Sequence, residues 1–244
     1  MRFLRLANRL YDHCYPAYRP MYWAWKAFSD RRERRLLTQL IRPGMTLVDV
    51  GANVGVYTHF FSRLAGTTGK VHSFEPSPAN FRHLREHIRH LPNVAANQAA
   101  VGASSGTARL YVSEDLNVDH RTFDSGDGRS AIDVRLVSLD DYFSDGQRVD
   151  FIKIDVQGYE ASVLQGARRV VLDNPELRIL MEYWPYGLAK ASVEPAALIE
   201  LIGSLDLEIQ ATDTLRAPLV IGIEQESADF DDYCNLLLRR RSSA

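Results

Sequence analysis

Thr46-Leu47-Val48-Asp49-Val50-Gly51-Ala52-Asn53-Val54-Gly55 decides the fold of this chain. Its first half is a short apolar run, the kind of strand that sits buried on both faces of a parallel sheet. Its second half carries Gly51 and Gly55, which permit a tight turn and let a ligand approach the backbone closely. A helix is expected next, over Val54–Leu64. Its free N–H groups and positive dipole end can receive a carboxylate or a phosphate.

The alternation repeats toward the C-terminus. Lys70–Phe74 reads as a second strand, and Pro78–His90 as a helix with His and Arg on its wet face. Val94–Val101 reads as a third strand. Thr107–Val112 and Ile132–Val137 form an expected hairpin with a long polar loop between them. Asp150–Asp155 is a fourth parallel strand, followed by a helix over Glu160–Leu172. Leu177–Glu182 is a fifth strand, Pro195–Leu205 a helix, Leu207–Thr212 a strand and Tyr233–Arg239 the last strand. This spacing predicts a doubly wound α/β domain, mostly parallel, with helices on both faces. The domain is expected over residues 43–244. Residues 1–42 form a helical, aromatic and basic appendage that ends at Pro43-Gly44.

A chain of 244 residues with 45% hydrophobic content can bury one enzyme-sized core. A net charge of −2 argues against a nucleic-acid binder dominated by phosphate contacts. The charge is uneven: residues 1–42 carry ten Arg or Lys and three acids, so the remainder is acidic by about nine charges. Cys14 and Cys234 lie far apart and make neither a metal-ligand spacing nor a disulfide framework. No apolar run is long enough to span a bilayer, and the N-terminus lacks the uninterrupted apolar core of a signal peptide. A soluble, cytoplasmic protein is expected.

In an open α/β sheet ligands bind beyond the carboxyl ends of the strands. At the first end, Asp49 offers a negative charge suited to an ammonium group or to backbone amides. The dinucleotide fingerprint G-x-G-x-x-G fails here, because Asn53 and Val56 stand where the second and third glycines belong, so a nicotinamide-dependent sugar enzyme is disfavoured. At the second end, Glu75, followed by Pro76, can accept hydrogen bonds from two ribose hydroxyls. At the third, Ala100 and Val101 can face a flat adenine ring or simply pack. Asp155 closes a strand expected beside the first and points into the cleft. Glu182 ends an apolar strand, where an acid is costly unless it has partners or faces the cleft. Glu160 is read as a helix leader, held by charge–dipole attraction. In the loop 113–131, His120 beside Arg121 is a candidate general base, with Asp119, Asp124, Asp127 and Gly128 close in sequence.

These motifs together resemble the FkbM-type methyltransferases. The resemblance is carried by Pro43-Gly44-Met45, Asp49 to Gly55, Tyr57-Thr58, Phe74-Glu75-Pro76 and Ile152-Lys153-Ile154-Asp155-Val156-Gln157-Gly158-Tyr159-Glu160, and it runs from about residue 26 onward. It implies a seven-strand methyltransferase sheet with an antiparallel last strand. It also implies S-adenosyl-L-methionine as cofactor and O-methylation of a hydroxyl on a sugar, glycolipid or secondary metabolite. By position, Asp49, Gly51, Asn53 and Gly55 hold the methionine part and Glu75 holds the ribose. Tyr57, Pro76, Ala100 and Val101 join the cofactor site. Asp155, Gln157 and Gly158 sit where the methyl group is passed. A glutamine at 157 cannot serve as a base, so that role stays open among Asp155, His120 and Glu182. No metal is demanded by the spacing of these acids. The runner-up is a non-catalytic methyltransferase-like module that binds or scaffolds a partner. The aromatic and basic N-terminal segment is open to three readings: a cap on the site, a homodimer contact or a peripheral membrane contact.

Overall fold

The structure, a computed structural model, describes residues 10–11, 14–113, 120–124, 126, 128–210 and 233–241. Asp119, Asp127, residues 1–9 and 12–13 of the appendage, and the end of the expected strand at Thr212 lie outside the described residues. Two helices come first, α1 (Tyr15–Ser29) and α2 (Arg31–Leu40). Then follow β1 (Thr46–Val50), α3 (Val56–Ala65), β2 (Lys70–Phe74), α4 (Pro78–Ile88) and β3 (Val94–Asn97). A small three-stranded sheet comprises β4 (Ala100–Val101), β5 (Gly106–Val112) and β6 (Ser130–Val137). The chain returns through α5 (Leu139–Tyr142), β7 (Phe151–Ile154), α6 (Glu160–Gln165) and α7 (Arg168–Asp173). It ends with β8 (Arg178–Tyr183), α8 (Pro185–Lys190), α9 (Pro195–Ser204), β9 (Leu207–Gln210) and β10 (Cys234–Arg240).

The main sheet has seven strands in the order β3-β2-β1-β7-β8-β10-β9. All pairs among the first five are parallel, and β10 runs antiparallel to both β8 and β9. From β1 the chain winds outward through β2 and β3, then crosses back to β7 on the other side. The order therefore reverses between β1 and β7, and the crevice opens there. Leu47, Val48, Val50, Phe151, Ile152 and Ile154 are buried, as strands covered on both faces require.

Two expected elements are divided. The third strand stops at Asn97, where its backbone turns: the Ala99 N–H donates to the Asn97 carbonyl at 3.0 Å. Ala100 and Val101 leave the main sheet and pair with Leu136 and Val137 of β6. The helix expected over Glu160–Leu172 breaks at Gly166. A Cβ on Gly166 would lie 2.0 Å from the Gly102 carbonyl oxygen, so the β4–β5 turn packs directly on the bare backbone. Asp140 then caps the second piece, its two carboxylate oxygens each accepting at 3.0 Å from the N–H groups of Arg169 and Val170.

The N-terminal helices pack across the cleft end of the sheet. Tyr11 and Tyr18 cluster with Val54 and Val56, and the Tyr11 hydroxyl donates to Asn80 Oδ1 at 2.6 Å. Leu36 and Leu37 enter the main core. Among the described residues no helix is long and apolar enough to cross a membrane.

Candidate active site

A cavity of about 440 Å³ lies at the carboxyl ends of β1, β2, β7 and β8, within the size range of small-molecule sites. Its floor is the glycine turn. Gly51 has φ +81°, and a Cβ there would sit 1.9 Å from the Asp155 carbonyl oxygen. Only glycine lets the β1 and β7 ends come this close. Asn53 is also left-handed, at φ +50°, and its backbone N–H donates to Glu75 Oε2 at 2.8 Å. The Ser77 N–H donates to Glu75 Oε1 at 2.9 Å. Glu75 is thus held by the turn on one side and by the start of α4 on the other. Burial pushes its carboxyl up to about 7, although these N–H groups work in the opposite direction.

Asp49 is fully buried on the cavity wall. Its Oδ2 accepts from the Thr58 hydroxyl at 2.6 Å, while Oδ1 has no hydrogen-bond partner among the described residues. Burial raises its carboxyl above the ordinary aspartate range, with Lys153 and Thr58 opposing. A buried acceptor without a donor is a place for a ligand's ammonium group.

Across the turn, Asp155 and Glu182 face one another through one amide. Gln157 Nε2 donates at 3.0 Å to Asp155 Oδ1 and at 3.0 Å to Glu182 Oε2. Gln157 is held for this at φ +56°, an unusual backbone for a side chain of its size. Lys153 Nζ donates to Asp155 Oδ2 at 2.9 Å and lies 4.7 Å from the centroid of the Tyr57 ring. Burial works against the Asp155 charge, yet Lys153 and Lys26, with hydrogen bonds from Lys153 and Gln157, hold its carboxyl below the ordinary range. Glu182 moves the other way. Burial first, then the Asp155 and Glu160 charges, push it well above the glutamate range. Paired acids driven apart in this way are how one site acquires a fixed charge and a proton acceptor.

The roof comes from α1 and α2: Tyr22, Trp25, Lys26, Ser29, Asp30 and Glu33 line the cavity. Lys26 Nζ meets Asp30 Oδ2 at 2.7 Å, and the Tyr57 hydroxyl donates to the same oxygen at 2.9 Å.

A family model described as the methyltransferase FkbM domain matches residues 49–206. The chain belongs to the FkbM methyltransferase family. That family uses S-adenosylmethionine. The FkbM-family chain is 30% identical to methyltransferase sdnD of Sordaria araneosa over 190 residues, which cover 63% of this chain and 71% of that protein. It is 29% identical over 185 residues to the 31-O-demethyl-FK506 methyltransferase FkbM of Streptomyces tacrolimicus, covering 62% and 69%. It is also similar to the crystal structure of methyltransferase FkbM from Methylobacillus flagellatus KT, with a TM-score of 0.49 and 16% identity over 84% of this chain. It spans half the length of that protein.

The FkbM-family site fits S-adenosylmethionine on three observations of this structure: the unpartnered Asp49 Oδ1, the bare Gly51 backbone and the anchored Glu75 carboxyl. Of the residues singled out in the sequence, Asp49, Gly51, Asn53, Tyr57, Glu75, Pro76, Ala100, Val101, His120, Asp155, Gln157 and Glu182 all line the cavity. Gly55 does not; at φ +90° its Cα faces α4, where a Cβ would meet Leu84 Cδ1 at 2.7 Å. Gly158 likewise stands behind the wall, its Cα facing the Gly187 carbonyl. The His120 Nδ1 accepts from the Ser113 N–H at 3.1 Å. Arg121 is buried with its guanidinium 5.6 Å from the centroid of a Trp184 ring. Among the described residues no group of three or more His, Cys, Asp or Glu is arranged to hold a metal ion.

Sequence reasoning passed over Lys153, Lys26 and Asp30. Lys153 did carry a signal: a charged residue between two isoleucines, two positions before Asp155, shares its strand face with that acid. Lys26 and Asp30 show in the sequence only as an i,i+4 ion pair, because the groups that tie them to the site, Tyr57 and Asp155, lie beyond residue 50.

Glu160 begins α6, and its Oε1 accepts from the Gly158 N–H at 3.0 Å. Burial pushes its carboxyl up to about 7. An acid raised on folding binds more protons native than unfolded between about pH 4.5 and 7, so stability falls as pH rises through that window. Glu160→Gln is therefore expected to be more stable than the parent at pH 8 by about 1–3 kcal/mol. The variant should also show a flatter stability between pH 5 and 8. Urea titrations at the two pH values check this, and equal stability at pH 8 would contradict it.

Proposed function

We propose that this chain transfers a methyl group from S-adenosylmethionine to a hydroxyl oxygen of a small-molecule or glycan acceptor. The observation that carries the reading is the pair of carboxyl groups, Asp155 and Glu182, tied by the Gln157 amide at the ends of adjacent central strands. S-adenosylmethionine supplies an activated methyl group on a positively charged sulfur.

The chain's residues position and manage charge around it. Glu75 and Asp49 are the acceptors for ribose hydroxyls and an ammonium group, and Gly51 leaves room between them. Positioning of two reactants can account for up to roughly 7–11 kcal/mol of barrier lowering. Asp155, kept ionised by Lys153 and Lys26, is a fixed negative charge facing the cleft. Glu182, with its raised proton affinity, is suited to take the acceptor hydroxyl's proton, an effect of about 10²–10⁴ in rate. His120 suits a different task. With Nδ1 accepting from the Ser113 amide, the neutral ring carries its proton on Nε2 and serves as a hydrogen-bond donor. Oxygen as the methylated atom is also supported by the relative whose name specifies an O-demethyl substrate.

Two measurements test the reading. Labelled methyl from S-adenosylmethionine should appear on a member of a panel of hydroxylated sugars, glycolipids and metabolites. Calorimetry should show S-adenosylmethionine binding at pH 8 that weakens as pH falls below about 7, by up to about tenfold per unit. The sign follows from Glu75: its ionised form is the better acceptor of ribose hydroxyls, and protonation removes it. Absence of binding heat at pH 8, for the cofactor and for its demethylated product, would remove the proposal.

A further inference from the structure

We infer that the outer face of α1 docks on an anionic lipid surface. The helix has two unlike faces. Tyr18 is buried, and Tyr22 and Lys26 line the cleft. The outer side carries Ala17, Met21, Ala24 and Phe28, all exposed and at the spacing of one helical stripe, with Trp25, also exposed, at the edge where that stripe meets the cavity roof. Phe28 is 70% exposed, Trp25 49% and Met21 38%. Large apolar side chains gathered on one outward face, as these are, mark an interaction surface; scattered ones do not.

Charge selects the occupant. Arg31, Arg32 and Arg35 stand exposed just beyond the end of the helix. The Arg31 guanidinium lies 5.0 Å from the centroid of the Phe28 ring, so the basic and apolar groups form one patch. Neither acid of this helix pair is exposed: Asp30 is tied to Lys26 and Tyr57, and Glu33 is half-buried. An apolar stripe with Trp and Phe, flanked by arginines, is the composition that settles at the headgroup boundary of an anionic bilayer. A second copy of the chain is a poorer occupant. A two-fold contact centred on Phe28, the most exposed of these side chains, would bring the Arg31, Arg32 and Arg35 clusters of both copies together. Docking places the cleft beside the headgroups, because α1 also roofs the cavity.

The test is co-sedimentation of the full chain with vesicles of phosphatidylglycerol in phosphatidylcholine, and with phosphatidylcholine alone, without cofactor or acceptor. The outcome is therefore independent of whether methyl transfer is found. Binding is expected to the anionic vesicles and to weaken strongly in 0.5 M salt. Met21→Ser with Phe28→Ser should weaken it about tenfold or more. Each of Arg31→Gln, Arg32→Gln and Arg35→Gln should weaken it about fivefold. All these positions lie outside the cavity wall, so circular dichroism and S-adenosylmethionine binding should match the parent and exclude misfolding. Failure of the parent to bind anionic vesicles overturns the inference, as does equal binding by the serine double variant. A dimeric parent that becomes monomeric with Met21→Ser and Phe28→Ser, and binds no vesicles in either form, would show that a second copy covers the face.

Discussion

Glu182→Gln is expected to lower kcat for methyl transfer by about 10²–10⁴ while changing S-adenosylmethionine affinity little. The substitution keeps the shape and the acceptor for Gln157 Nε2, which now bonds Glu182 Oε2 at 3.0 Å. What it removes is a group able to hold a proton. Burial and the neighbouring Asp155 and Glu160 charges raise the Glu182 carboxyl well above the glutamate range. At low pH it is protonated and cannot accept, and its basic form accumulates as pH rises through the raised value. Parent activity should therefore climb with pH above the usual glutamate range, and the residual activity of Glu182→Gln should lack that limb. Single-turnover rates across pH with saturating cofactor check both points. An unchanged rate or an unchanged limb would move the base role to another group.

Gly51→Ala is expected to cost about 3–5 kcal/mol of stability and to weaken S-adenosylmethionine binding by more than about a hundredfold. A side chain at φ +81° is strained by roughly 1–2 kcal/mol on its own. The larger part is the collision with the Asp155 carbonyl, 1.9 Å from the Cβ position. That oxygen belongs to backbone at the end of β7, which is locked between β1 and β8 and cannot step aside. Relief must come from shifting the turn that presents Asn53 to Glu75, and so from the cofactor site. Gly146→Ala is the control: its φ is +68°, but nothing lies within 4 Å of the added carbon, so only the backbone strain of about 1 kcal/mol should appear. Urea unfolding and calorimetry separate the two variants. Equal losses in both would show that the close approach at Gly51 does not matter.

The roof of the cleft ties these expectations to the N-terminal segment. Asp30 binds Lys26 and Tyr57 together, and Lys26 adds to the positive charge that keeps Asp155 ionised. The appendage thus contributes electrostatically to the pair of acids Asp155 and Glu182. Its outer face offers a different surface, apolar and basic, on the far side of one helix.

Alternation of short apolar strands with helices, and the acids at strand ends, were legible from the residues alone. Asp49, Glu75, Asp155 and Glu182 each stand at or next to the carboxyl end of a strand, and a parallel sheet gathers those ends at one crevice. That inference needs only the order of neighbours along the chain. The tertiary structure alone decided what depends on distant partners. Gly166 breaks a helix because the Gly102 carbonyl packs on it, and Ala100 leaves the third strand because β6 offers it a new partner. Gly55 faces Leu84 and lies off the cavity wall, and Lys26 reaches the acids across the cleft. Periodicity is a property of consecutive residues, whereas close approach, burial and the field at a carboxyl group are set by segments far apart in sequence.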